Sequence, residues 1–203
     1  MSTILHLNTS IRSSGSHSRT LSGEFLAMLA VPGKDTVIER DLAGQPVPHL
    51  DEATMGAFFT PADKRSPAQN QALALSDKLI AEVQSADTIV IGAPMYNFSI
   101  SSGFKAWIDH VARAGVTFKY TETGPVGLLQ GKKVFVFTAR GGVYSYGPAA
   151  AMDFHETYLR AVLGFIGLTD VTFVHTEGLG MGEEAVKQAV AQTRGKVAEL
   201  AAA

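Results

Sequence analysis

The chain has 203 residues, 46% hydrophobic and 18% charged, a balance that suits one compact domain (1–203) with a substantial core. A net charge of −2 implies no broad basic face for nucleic acid or acidic membranes, and the absence of cysteine excludes disulfides, thiolate metal sites and cysteine nucleophiles. The six histidines show neither HxH nor HExxH spacing, so no metal site is expected. The N-terminus runs straight into a strand without a basic n-region, and no apolar run approaches the ~18 residues that a membrane helix needs, so a cytoplasmic protein is expected.

Thr3-Ile4-Leu5-His6-Leu7-Asn8 alternates apolar and short polar residues and opens the chain as a strand. The next stretch, Thr9 to Ser18, concentrates hydroxyls (Thr9, Ser10, Ser13, Ser14, Ser16, Ser18) around one arginine, Arg12. Leu21, Phe25, Met28 and Leu29 then mark the apolar stripe of a helix that begins near Ser18 and ends before Pro32-Gly33. Hydroxyls feeding a helix N-terminus suit a phosphate dianion, because free N–H groups and the positive end of the dipole converge there. A plain serine cap is the alternative, but one cap needs only one hydroxyl.

Thr36-Val37-Ile38-Glu39-Arg40-Asp41 reads as the second strand, and residues 51–63 as a short helix. Phe58 and Phe59 in that helix either cover something apolar or, the preferred reading, simply pack under a surface excursion. Ser66-Pro67-Ala68-Gln69 is a capping box that opens a helix with Ala72, Leu75, Leu79 and Val83 on one face. Thr88-Ile89-Val90-Ile91-Gly92 is then short, apolar and rich in β-branched residues, as a buried central strand would be.

The loop after this strand, Ala93 to Ser101, keeps Met95, Tyr96 and Phe98 where a plain connection would be small and polar. These side chains are candidates for one wall of a flat pocket, with Asn97 bonding the edge of a heterocycle; the alternative is that they only cover the end of the sheet. Phe104, Trp107, Ile108 and Val111 give the next helix. The connection from Arg113 to Leu129 is long for a compact domain, where about 4–6 residues is the median, and its Phe118 and Tyr120 point the same way from an extended segment. They would line a substrate pocket or a subunit contact, or else sit on a hairpin packed on its own domain.

Lys132 to Thr138 is the fourth strand, and it runs into Ala139-Arg140-Gly141-Gly142-Val143-Tyr144, where the glycine pair permits close approach of bare N–H donors to a ligand. Met152, His155, Leu159, Val162, Leu163 and Ile166 give a helix, Asp170 to His175 the fifth strand, and Glu183 to Leu200 the final helix. Five alternations of strand and helix call for an α/β fold, a doubly wound parallel sheet with helices on both faces, and five strands fit the flavodoxin-like order 2-1-3-4-5. That order brings the loops starting at Thr9, Pro94 and Arg140 to one crevice. A phosphate site, aromatic faces and bare donors together describe FMN better than a simple anion. The segment Gly178-Leu179-Gly180-Met181-Gly182 has a misplaced third glycine for a dinucleotide fingerprint and acids around it, and reads as a flexible turn.

On these residues the chain resembles the FMN-dependent NADH-azoreductases of the flavodoxin-like fold, a group that also reduces quinones. The resemblance covers nearly the whole chain and is carried by Met95-Tyr96-Asn97-Phe98, by Trp107-Ile108-Asp109-His110, by Ala114 through Tyr120 to Gly124-Pro125-Val126-Gly127, by Arg140-Gly141-Gly142 and by Gly164-Phe165-Ile166-Gly167. It implies phosphate contacts at Ser10 and at Ser16, His17 and Ser18, and ring contacts from Met95, Tyr96, Asn97 and Phe98 and from Ala139, Arg140, Gly141 and Gly142. It also implies a homodimer with sites at the interface, Phe118 and Tyr120 walling the partner's site, and quinones and azo compounds as acceptors. Ala139, where some members carry serine, and Tyr144-Ser145-Tyr146 depart from the pattern and bear on the acceptor, with Tyr144 in the substrate pocket. NADH or NADPH would be the donor, flavin N5 the reactive centre, and no side chain a nucleophile; Arg140 beside the glycine N–H groups would favour negative charge on the reduced ring. A flavodoxin-type electron carrier is the alternative, though such carriers tend to be strongly acidic.

Overall fold

The computed structural model describes residues 1–202. The strands β1 (Thr3–Asn8), β2 (Thr36–Asp41), β3 (Thr88–Pro94), β6 (Lys133–Ala139) and β7 (Asp170–Thr176) form one parallel sheet in the order β2-β1-β3-β6-β7. This is the expected flavodoxin-like order, counted over the strands of the sheet. The helices are α1 (His17–Leu29), α2 (Glu52–Phe59), α3 (Pro67–Ser85), α4 (Ser102–Val111), α5 (Phe154–Phe165) and α6 (Glu183–Ala201). None of them is long and apolar enough to cross a membrane.

Strand periodicity sorts the core into two layers. Leu5, Leu7, Ile89, Ile91, Val134 and Val136 face one side, where Leu79, Val83, Phe104, Trp107, Leu159 and Leu163 of α3, α4 and α5 cover them. Ile4, Val90, Phe137 and Val174 face the other side, under Leu21 and Phe25 of α1 and Val197 of α6. The capping box at Ser66 and Gln69 is present. The buried stripe of α3 is Leu73, Ser76, Leu79, Ile80 and Val83, so Ala72 and Leu75 lie at its margin. A serine fits inside because its hydroxyl donates to the His110 carbonyl at 2.6 Å. In α1, Leu21 and Phe25 are buried but Met28 is exposed. Helix α5 begins at Phe154, after a 3-10 turn at Pro148–Met152, because Asp153 caps it by accepting from the His155 and Glu156 N–H groups.

The long connection after α4 folds into the antiparallel hairpin β4 (Phe118–Thr121) and β5 (Gly124–Gly127). Its anchor is a backbone contact with the turn after α5. The Leu129 N–H donates to the Ile166 carbonyl (2.9 Å), and a Cβ on Gly127 would fall 2.1 Å from the Gly167 nitrogen. Gly167 itself has φ +102°, which L side chains rarely adopt. Phe118 completes the anchor, with its ring 4.3 Å from that of Phe165.

At the carboxyl ends of β6 and β7 lies a buried ion cluster. Arg140 is fully buried, and its Nη1 meets Asp153 at 2.9 Å and Glu177 at 3.1 Å, with Glu156 3.8 Å from Nη2. His175 joins Glu156 (2.8 Å) to Thr138 (2.9 Å). His155 sits beside them, fully buried, with neither ring nitrogen partnered among the described residues. Burial, and then the Arg140 charge, push its pKa down to about 4, so it is neutral at pH 7.

Replacing Gly127 by alanine should destabilise the protein by about 2 kcal/mol or more, because the added Cβ meets backbone that cannot yield locally. Gly195→Ala, in the exposed part of α6 with nothing within 4 Å, should instead stabilise by about 0.5–1 kcal/mol. Urea melts of the two variants check the contrast. His155 gives a pH dependence: between its unfolded value near 6.5 and its folded value of about 4, the unfolded chain binds more protons. Its contribution is therefore complete above pH 6.5 and lost as pH falls to 4, by about 3 kcal/mol in all. Urea midpoints from pH 7 to 4.5 should fall less steeply for His155→Leu than for the wild type.

Candidate functional site

Strands β1 and β3 are neighbours, with Asn8 opposite Gly92, yet the chain leaves them towards opposite edges of the sheet. A crevice opens at that reversal, as parallel open sheets require. A Cβ on Gly92 would lie 2.9 Å from the Ser22 hydroxyl and 3.1 Å from the Ser18 carbonyl, so glycine lets the first turns of α1 settle against β3.

The first wall of the crevice is the loop that enters α1. Ser16 caps the helix, its hydroxyl accepting from the Arg19 N–H at 3.4 Å. The N–H groups of His17 and Ser18, at the first two helical positions, donate to nothing among the described residues. Ser10 Oγ accepts from the Arg12 N–H (3.2 Å) and lies 3.4 Å from the Tyr96 hydroxyl. Ser10, Ser16, His17, Tyr96 and Ala139, all expected from sequence, line one cavity of about 340 Å³ together with Arg12 and Leu179. Ser18 is fully buried, 3.2 Å from the Ser16 hydroxyl, and supports the cavity from behind. Arg19, which sequence reasoning passed over, reaches the Ser10 carbonyl (3.4 Å) and Asp41 (2.9 Å). Its hydrogen bond holds the Asp41 carboxyl below the usual carboxylate range.

The second wall is a tight turn. Tyr96 and Ser99 exchange both backbone hydrogen bonds (2.8 and 3.0 Å), which puts Asn97 at φ 47° and Phe98 at φ 70°. Asparagine tolerates the left-handed region, whereas phenylalanine there costs on the order of 1 kcal/mol or more. The turn is therefore held by its surroundings, and two ties are visible. The Met95 N–H donates to the Ala139 carbonyl (2.9 Å), and Ser101, which caps α4, donates its hydroxyl to the Thr9 carbonyl (2.9 Å). Ser101 closes the loop as read from sequence, and its place three residues ahead of Phe104 is a cap signal that reading did not use. Asn97 and Phe98 are exposed, Met95 and Tyr96 half-buried, and the Phe98 ring meets Tyr144 edge-on at 6.2 Å.

The third wall follows β6. The carbonyls of Arg140, Gly141 and Gly142 accept from the N–H groups of Leu179 (3.1 Å), Gly180 (2.8 Å) and Gly178 (3.0 Å). The segment is a turn, as expected from sequence, with the Met181 N–H donating to the Gly178 carbonyl (3.0 Å), but residues 178–180 are held as a backbone partner for this loop. The Gly141 and Gly142 N–H groups donate to nothing among the described residues. The Arg140 side chain is turned inward to its carboxylates, and its main chain is spent as well, its N–H donating to the Thr176 carbonyl (2.9 Å) and its carbonyl accepting from Leu179. The expectation that its charge acts on a ligand there is corrected: burial inside three acidic partners spends it.

Phe118 and Tyr120 stand apart from these walls. Their rings meet at a right angle, 5.6 Å apart, on the same face of the hairpin, with Phe118 buried and Tyr120 73% exposed. They line a second, mainly apolar cavity of about 270 Å³ with Met55, Phe58, Phe59 and Arg113. Phe58 packs under the Arg113 guanidinium (5.5 Å), as simple packing would have it, while Phe59 is 74% exposed.

The donor set of the crevice suits FMN. Two free N–H groups, a helix dipole and serine hydroxyls meet the needs of a phosphate, and two free glycine N–H groups meet those of the carbonyl edge of a flavin ring. The family described as flavodoxin-like fold matches residues 2–201. An FMN-dependent NADH:quinone oxidoreductase from Herminiimonas arsenicoxydans is 61% identical over 201 residues, 98% of each chain. One from Azotobacter vinelandii is 51% identical over 99% of this chain and 100% of its own. Among solved structures, an azoreductase from Bacillus anthracis str. Sterne superposes with a TM-score of 0.90 at 32% identity, covering 99% of both chains. An FMN-dependent NADH-azoreductase from Bacillus anthracis str. Ames Ancestor, in complex with FMN, gives 0.83 at 26% identity over 98% of both. This chain belongs to the flavodoxin-fold family that holds these FMN-dependent NADH:quinone oxidoreductases and azoreductases.

Proposed function

We propose that this protein is a cytoplasmic, FMN-dependent oxidoreductase that takes electrons from NADH or NADPH and reduces quinones and aromatic azo compounds. One observation carries the reading: the loop entering α1 and the loop after β6, which meet at one cavity through Ser10, Ser16, His17 and Ala139 with Tyr96 of the aromatic turn beside them, each keep two backbone N–H groups that donate to nothing among the described residues, His17 and Ser18 in the first and Gly141 and Gly142 in the second. The names of relatives at 51% and 61% identity support the same chemistry. When bound, FMN supplies the redox step, accepting hydride at N5 from the nicotinamide and passing it to the acceptor in ping-pong order.

The chain's own residues bind and orient. Ser10, Ser16 and the N–H groups of His17 and Ser18 hold the phosphate; Met95 to Phe98 wall the ring; the loop from Ala139 to Gly142 meets its polar edge, with the Gly141 and Gly142 N–H groups as the free donors. Negative charge developing on the ring is met by the two glycine N–H dipoles, fixed in advance and needing no reorganisation. Tyr144, half-buried against Phe98, belongs to the acceptor's pocket. The protein works as a homodimer, and the apolar cavity with its exposed Phe59 and Tyr120 is the surface that supports this. In the dimer, Phe118 and Tyr120 help to wall the partner's site.

Anaerobic mixing of the FMN-loaded protein with NADH should bleach the flavin rapidly, and a quinone or an azo dye should restore it. Little response to NADH, or recovery only with a protein partner, would make the protein an electron carrier instead. Ser10→Ala should weaken FMN about fivefold and leave riboflavin, which lacks the phosphate, unchanged, as one lost hydrogen bond requires. Sedimentation velocity should show a dimer for the wild type and a shift towards monomer for Phe59→Glu with Tyr120→Glu; an unshifted profile would move the interface elsewhere.

A further inference from the structure

The loop that presents Gly141 and Gly142 has no regular structure, from the end of β6 at Ala139 to the 3-10 turn at Pro148. Two adjacent glycines give it more conformational freedom than any other pair would. Yet the site requires their N–H groups to stay on one side. Glu177, the first residue after β7, accounts for this. Its Oε1 accepts from the Tyr144 N–H (2.8 Å), the Ser145 N–H (3.0 Å) and Arg140 Nη1 (3.1 Å), and its Oε2 accepts from the Ser145 hydroxyl.

This carboxylate is only 13% exposed, so burying its charge has a cost that four donors offset. The sheet does not need it, because the β6–β7 ladder already ends at Ala139 and Thr176. Its donors all lie on residues 140 to 145. With Gly178, Leu179 and Gly180 bonding the carbonyls of the same loop, residues 177–180 occupy one entire side of it. Gly141 and Gly142 N–H are left for the other side. Arg140 extends the clamp to Asp153 at the start of α5, so the loop is fixed to a helix as well as to β7.

We propose that Glu177 is a positioning residue of the flavin site: its carboxylate holds the loop from Arg140 to Ser145 in the one shape that turns the Gly141 and Gly142 N–H groups to the ring. The proposal rests on the FMN reading above. It requires Glu177 to act on the ring and not on the phosphate, and as a hydrogen-bond acceptor more than as a charge.

The test compares wild type, Glu177→Ala and Glu177→Gln in three measurements: FMN and riboflavin affinity by fluorescence titration, the midpoint potential of bound FMN, and melting of the flavin-free protein. Glu177→Ala should weaken FMN and riboflavin alike by about tenfold, the scale of one hydrogen bond to a charged group. Reduced FMN should lose about tenfold more than oxidised FMN, lowering the midpoint potential by about 30 mV for a two-electron couple. Glu177→Gln keeps an oxygen for the two N–H donors and should recover most of both effects. Wild-type affinity and potential in Glu177→Ala would overturn the proposal, and so would lower melting with an unmoved potential. If Glu177→Ala does not fold, Ser145→Ala replaces it; a loss of about two- to threefold for both flavins supports the clamp, and no loss overturns it. Wild-type protein that binds neither flavin would instead remove the FMN reading itself, an outcome that no comparison between variants can mimic.

Discussion

Parallel pairing of β1 with β3, while their connections run to opposite edges, is the constraint on which the rest of the molecule depends. A sheet with that order must have a gap between helices at the carboxyl ends of those strands. Apolar and β-branched residues build the two strands, but polar residues stand at their exits: Thr9 and Ser10 after β1, and Tyr96 and Asn97 after β3. The fold creates the crevice, and the exits supply its chemistry. Ser101 and Tyr96 then tie the two exits together, so neither loop moves without the other.

The hairpin answers a different need. A right-handed crossover from β3 to β6 requires only α4, and the chain spends β4 and β5 in addition. Gly127 and Gly167 let two backbones touch, which fixes the hairpin to the turn after α5 and leaves Tyr120 facing outward beside α2. The extra element thus serves a surface and not the core.

Legibility in the sequence followed the range of the interactions. The central strands β3 and β6 could be read because buried parallel strands are continuous apolar runs, and the capping box because its parts lie three residues apart. The loops of the crevice were legible as odd compositions in places where connections are usually plain. The hairpin was legible only as one alternative for the long connection, because Phe118-Lys119-Tyr120-Thr121 mixes polarity and Gly124-Pro125-Val126-Gly127 has the composition of a turn. Phe98 in the left-handed region carries no sequence mark, since such turns normally hold glycine. Least visible were the direction of the Arg140 side chain and the role of Glu177. An arginine next to two glycines looks like a ligand contact until its carboxylates, 13 to 37 residues away, are placed around it.

The inward turn of Arg140 also determines how the crevice responds to its medium. One guanidinium enclosed by three carboxylates offers no cation to the crevice, so the third wall acts through peptide dipoles. Dipoles act at contact distance and are hardly screened by dissolved ions, whereas an exposed arginine would lose much of its effect over a Debye length of about 8 Å at physiological ionic strength. The dipoles at Gly141 and Gly142 therefore keep their strength as ionic strength changes, where an exposed guanidinium in their place would not.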